Sequence, residues 1–459
     1  MGLRRKSSGP QDRQKGLRVI RERVAGIDLG SKEHWVCCPR RETGEVVLRG
    51  FATTTPDLEC LGDWLEAEQI ESVAMESTGV YWIPLYELLE SRGFEVVLVN
   101  ARQLKHVPGR KSDVVDCQWI QLLHRCGLLR GSFRPAEAIC QLRALERERA
   151  ALVGLATQAV QMIQKALDQM NVQVHRAVTD LTGQTGMAMV RAIVAGERDP
   201  LRLAEFRDRR CRKSKAEMAA HLTGNWRDEH LFNLAKALEW YDFVQRQRAD
   251  YDEEIGRVLS RLEAHERADQ EPGPHPQPTK QRALNKRGEQ QRRTSLWRMT
   301  GVDLTRIDGI GPGAAQVVIS EVGLDLSSFP TEKHFVSWLR LSPKTAYSAG
   351  KPLRKRRQGT GSTRVANVLR MAALSLQHSR SALGAYFRHL AWRKGGGTAV
   401  FATARKLAQY LYRMLRFGQD YVDEGAEAYE ARYRLKRLQS LTTTAKNMGY
   451  TLVPVEVQG

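Results

Sequence analysis

The feature that most restricts this chain lies near its start. Three short apolar runs, Val24 to Leu29, Trp35 to Cys38 and Val46 to Phe51, follow one another with only polar turns between them. Runs so close together read as an antiparallel meander of strands. A helix is expected from the Thr55-Pro56 signal to Glu68, because proline suits a first helical turn. The strand Ser72 to Met75, the helix Trp82 to Ser91 and the strand Glu95 to Val99 come next, and another helix begins near Ser112. The order βββαβαβ predicts a mixed sheet covered by helices.

That element order is the ribonuclease H-like one, in which the first and fourth strands are neighbours and the last helix packs over them. Asp28 lies inside the apolar strand Val-Ala-Gly-Ile-Asp-Leu, where a carboxylate is costly unless a cation or donors balance it. Glu76 follows Val73-Ala74-Met75, at the end of another central strand. Asp113 and Asp116 are three apart and project from one helix face. The predicted sheet brings all four carboxylates together, and two Mg²⁺ ions would relieve their mutual repulsion with an all-oxygen ligand set. Such a pair activates an attacking oxygen and stabilises a leaving oxygen at a phosphodiester. Taken singly, Asp113 also suits a helix N-cap and Asp116 a first-turn dipole partner. Gly26 to Ser31 also looks like the first phosphate loop of sugar kinase, actin and Hsp70 ATPases. That fold needs a second Asp-x-Gly turn and an adenosine turn, and neither is evident.

Beyond the α/β segment the pattern changes to helix. Leu142, Leu145, Leu152, Ala156, Ile163, Ala166 and Met170 recur at helical steps, and a second such series runs from Leu234 to Leu262. They make either an antiparallel hairpin or a coiled-coil dimer surface, with a small helical cap between them. Residues 267–293 are polar, rich in Pro and Gln and poor in large apolar side chains, which predicts a linker or flexible insertion. The expected division is therefore a basic tail 1–23, an α/β domain 24–134, a helical arm 135–265, an insertion 266–295, a mostly helical domain 296–442 and a tail 443–459. The fold class is α/β plus all-α.

With 72 Lys+Arg against 52 Asp+Glu the net charge is +20, an excess that suits a polyanionic partner, nucleic acid foremost. The seven cysteines form no CxxC pair or Cys/His cluster at metal spacing, so neither a disulfide framework nor a zinc site is expected. No apolar run is long enough to cross a bilayer, and Met1 to Arg23 is basic and polar. The expectation is a cytoplasmic protein that makes no membrane contact and joins the nucleoid when bound to DNA.

Ile307 to Ala315 has the spacing of a helix-hairpin-helix turn, in which Gly309, Gly311 and Gly313 would let backbone approach a DNA phosphate. Downstream come Lys344, Lys351, Arg354, Lys355, Arg356 and Arg357, interleaved with Ser348 and glycines, and then Arg364 at the head of an apolar-faced helix. These cations are candidates for phosphate contact; the plainer alternative is a solvated charged face.

Taken together, the Asp28 strand, Ala74-Met75-Glu76-Ser77-Thr78-Gly79, Lys111-Ser112-Asp113-Val114-Val115-Asp116, the Ile310-Gly311-Pro312 turn and Ser348-Ala349-Gly350-Lys351 resemble the IS110-type transposases, the bridge-RNA-guided recombinases. The resemblance implies a RuvC-like domain with an Asp-Glu-Asp-Asp site, a coiled-coil arm for dimer assembly, and a C-terminal domain with a nucleophilic serine. It further implies a structured RNA that pairs with donor and target DNA, and recombination in a tetramer through a phosphoserine intermediate. The family's usual Ser-Gly is Ser348-Ala349-Gly350 here, so Ser348 has a rival in Ser362. A serine hydroxyl needs a base or metal to become nucleophilic, which is a reason for a carboxylate cluster and a basic serine loop to share one chain. The alternatives are a Holliday junction resolvase using water at the same cluster and a purely architectural RNA-binding protein.

Overall fold

The computed structural model describes residues 18–77, 79–100, 113–262, 271–277, 281, 284, 288–342, 346–348, 351–353 and 363–453. The chain divides into two compact units, 1–134 and 135–459.

In the first unit β1 (Val24–Leu29), β2 (Glu33–Pro39) and β3 (Val46–Ala52) form the meander, followed by α1 (Thr55–Ala67), β4 (Ser72–Glu76), α2 (Trp82–Ser91), β5 (Glu95–Val99) and α3 (Asp113–Arg125). The sheet order is β3-β2-β1-β4-β5. β1 pairs antiparallel with β2 and parallel with β4, so the mixed sheet expected from the element order is the one observed. Strand alternation divides the side chains between two layers. Ala25, Ile27, Leu29, Val73 and Met75 join Leu61 and Leu65 of α1 and Leu85 and Leu89 of α2 in the main core. On the other face Ala74 and Val99 meet Ile120 of α3.

The second unit opens with α4 (Glu137–Gln169), four short helices α5 (Val174–Ala177), α6 (Gln184–Val194), α7 (Pro200–Glu205) and α8 (Lys215–Leu222), and the returning α9 (Asp228–Arg261). α4 and α9 pack on each other within one chain. Arg149 near the start of α4 bridges Asp252 near the end of α9 at 2.7 Å, which makes the pair an antiparallel hairpin. Its far end is closed by the short helices, where Ile163, Leu167, Met189, Leu203, Met218, Leu222 and Leu234 share one core.

The rest comprises α10 (Glu289–Thr300), α11 (Pro312–Val322), α12 (Glu332–Trp338), the strands β6 (Ala346–Ser348) and β7 (Lys351–Leu353), then α13 (Arg364–Ser375), α14 (Ala382–Lys394), α15 (Gly396–Phe417) and α16 (Gly425–Asn447). The expectation of a flexible insertion over 266–295 is corrected here for its described residues. His275, Leu284 and Arg293 are buried, and α10 begins at Glu289. Arg293 donates to Asp303 Oδ2 at 2.6 Å and to Gly273 O at 2.8 Å, while His275 Nε2 lies 3.1 Å from Thr305 O. These described residues pack largely by pairing polar groups, beside the buried Leu284. The tail expected from 443 also differs, since α16 continues to Asn447.

Candidate nucleic-acid-processing site

The carboxylate site follows from strand register. In the parallel pair β1–β4, Gly26 faces Ala74 and Ile27 faces Met75, so Asp28 and Glu76 are the next neighbours along the same two strands. Both follow, at a two-residue step, residues on the α3 face: Gly26 precedes Asp28 and Ala74 precedes Glu76. Both are half-buried.

Gly26 fixes how closely α3 can approach. A Cβ there would lie 2.3 Å from Gln121 N and 2.5 Å from Cys117 O, so only glycine lets the helix backbone rest on β1. The direction of α3 follows from its contacts: His124 Nε2 is 2.8 Å from Ser72 Oγ at the start of β4, Ile120 meets Ala74, and Cys117 lies over Gly26. The helix therefore runs back along the strands, and its first turn, with Asp113 and Asp116, falls toward the strand ends that carry Asp28 and Glu76. Cys117 records that proximity. Its thiol is pushed above the ordinary range by its hydrogen bond with Cys37, by burial and by the nearby charge of Asp28.

Asp116 is half-buried on α3. For Asp113 the backbone at the helix start is described and the side chain is not. Among the described residues no group of three or more His, Cys, Asp or Glu side chains is placed to hold a metal ion. Asp28, Glu76 and Asp116 are carboxylates, hard oxygen donors of the kind that suit a divalent cation, but their described side chains do not converge on a common ion position.

In the second unit Gly309 has φ +83°, and a Cβ there would lie 2.8 Å from Ala372 O of α13. Its glycine is explained by turn geometry and close packing. Gly311 caps α11, and a Cβ at Gly311 or Gly313 would meet nothing within 4 Å, so both face open space. Ser348 pairs with Lys351 in the antiparallel β6–β7 hairpin, for which the backbone alone is described. Arg364 starts α13, about half exposed, 3.8 Å from Glu321 Oε1. Lys344, Arg354, Lys355, Arg356, Arg357 and Ser362 lie outside the described residues. Gly26 is the position the sequence reading missed; its signal is a glycine inside a buried strand two residues before a carboxylate.

The sheet order, the parallel β1–β4 pair and the helix laid across it define a ribonuclease H-like domain followed by a largely helical remainder. Residues 25–172 match the family model DEDD_Tnp_IS110, described as a transposase. Residues 302–388 match the model of the IS116/IS110/IS902 transposase family. The chain belongs to the IS110 family of transposases and is a DNA transposase. Its DEDD-type domain points to use of a divalent metal. A comparison with curated proteins finds no match. No helix among the described residues is long and apolar enough to cross a membrane.

Proposed function

We propose that this transposase cuts and rejoins DNA with two sets of groups: Asp28, Glu76, Asp113 and Asp116 as ligands of two Mg²⁺ ions, and Ser348 as the nucleophile. One observation supports the reading: β1 and β4 pair in parallel up to Ile27 and Met75, the residues just before Asp28 and Glu76. When bound there, the ions would supply activation of an attacking oxygen and stabilisation of the leaving one. Asp28 and Glu76 lie at the ends of strands, and a charged phosphoryl site benefits from ligands fixed by such elements.

Ser348 Oγ forms a bond to phosphorus as the bond from phosphorus to the neighbouring nucleotide's oxygen breaks. The serine proton passes to solvent, and the departing oxygen takes a proton from solvent and leaves as a hydroxyl. Attack by the hydroxyl of a second strand reverses the step and frees the serine. The phosphoester energy is conserved, so rejoining needs no ATP. The basic segment containing Lys344, Lys351, Arg354, Lys355, Arg356 and Arg357 offers positive charge for the crowded phosphoryl oxygens, and Gly311 and Gly313 offer open backbone to a DNA phosphate. Donor and target DNA are the substrates. The family resemblance supports a structured guide RNA and assembly as dimers and tetramers, and the net charge of +20 suits a polyanionic partner.

The test is a denaturing gel after reaction with labelled DNA. A protein-linked strand is expected with the wild type and with Ser362→Ala, and none with Ser348→Ala. An adduct lost with Ser362→Ala and kept with Ser348→Ala moves the nucleophile. DNA cut with no adduct at any time means hydrolysis by water, as in a resolvase.

A further inference from the structure

The first turns of α16 are fastened to α14. Tyr429 packs on Tyr386, Tyr433 lies 4.2 Å from the His389 ring, and His389 Nε2 meets Glu430 Oε2 at 2.8 Å. From Arg434 to Val453 every residue is exposed except the half-buried Ala445. Leu435, Leu438 and Leu441 are 61%, 56% and 49% exposed. A lone helix of this length is marginal in water, so this half of α16 needs a covering partner.

Its charge says which kind. Residues 431–453 contain Arg432, Arg434, Lys436, Arg437 and Lys446 and no Asp or Glu. Arg432 is engaged by Glu424. The other four make no ion pair among the described residues. A second copy of the helix would set cation against cation, and the leucine seam is short. Read from Leu438 and Leu441, the coiled-coil repeat reaches only Ala445 before α16 ends at Asn447; read from Leu435 and Leu438, it meets Thr442. A polyanion removes the like-charge repulsion instead, and a helix about 10–12 Å across fits a DNA major groove about 12 Å wide.

We propose that the projecting half of α16 is a duplex-DNA-binding element, with Arg434, Lys436, Arg437 and Lys446 contacting phosphates. DNA is chosen because the chain is a DNA transposase. The surface adds to the carboxylate and serine groups and does not depend on their assignment.

The experiment compares the full chain with R434Q/K436Q/R437Q/K446Q by fluorescence anisotropy, on a duplex of about 30 base pairs from about 50 to 200 mM salt. The expected result is a log K against log salt slope shallower by about 0.9 per lost contact, with affinity down about tenfold or more at the same salt. An unchanged slope and affinity overturn the proposal. Circular dichroism should be unaltered, because the four side chains are exposed; if it is not, a chain ending at Tyr433 gives the same comparison. A structured RNA hairpin is the second probe, and loss of RNA binding with DNA binding kept makes α16 an RNA element and overturns the DNA assignment. L435S/L438S/L441S in sedimentation is the third arm. A fall in oligomeric state, with the quadruple variant still binding DNA normally, makes α16 a self-association surface and likewise overturns it.

Discussion

A methyl group at Gly26 would strike the backbone of α3, with Gln121 N at 2.3 Å and Cys117 O at 2.5 Å. Backbone yields less readily than a side-chain tip, so Gly26→Ala should shift the helix that carries Asp113 and Asp116. The expected cost is about 1–3 kcal/mol of stability, the usual range for overpacking, together with loss of strand cleavage. Thermal melts and a cleavage assay on the full chain check both. His124, at the other end of the same helix, gives a pH test. Burial, aided by the charge of Arg21 and opposed by that of Glu95, lowers its imidazole from 6.5 to about 4. Between those values the unfolded chain binds a proton that the folded chain does not. Stability is therefore fully present above pH 6.5 and falls as pH drops toward 4. His124→Gln keeps a polar group near Ser72 and cannot titrate, so its melting temperature should fall less steeply over that window. Parallel curves for the two proteins would contradict the assignment.

Among the elements, the α/β half was legible because its signals are local: alternation, proline in the first turn of α1, and carboxylates at the ends of apolar strands. Asp28 and Glu76 stood out because charge inside an apolar run needs a reason. The α4–α9 pair was legible as two amphipathic helices but not as an intrachain hairpin, since the same apolar stripes serve a dimer seam. The segment around α10 reads as a linker because part of its burial rests on charge pairing, to which hydropathy is blind, beside a few apolar residues such as Leu284 and Leu296. Arg293 is 3% and Asp303 7% exposed. Burial would raise the Asp303 carboxyl, yet its hydrogen bonds from Arg293 and Thr305 outweigh that and hold it below the usual range. Asp303→Asn strands a buried guanidinium and should cost about 3–5 kcal/mol, whereas replacing both partners with apolar residues of similar volume should recover most of it. Denaturant midpoints of the single and double variants decide this. A flexible insertion would show no loss in either.

For the whole molecule, a net charge of +20 and an IS110-family sequence over both units describe a protein made to hold polyanions while phosphoryl chemistry proceeds. If, as proposed, charge contributes affinity and the carboxylates contribute chemistry, the two should separate under mutation. Removing cations weakens binding and its salt dependence together; removing a carboxylate should leave binding intact. The most direct measurement is Mg²⁺-dependent strand cleavage by Asp28→Asn and Glu76→Gln, with DNA affinity measured on the same preparations. The account predicts cleavage abolished in both variants and a DNA dissociation constant within about twofold of wild type, since each change removes one metal ligand and no phosphate contact. Full Mg²⁺-dependent cleavage by Asp28→Asn would contradict it.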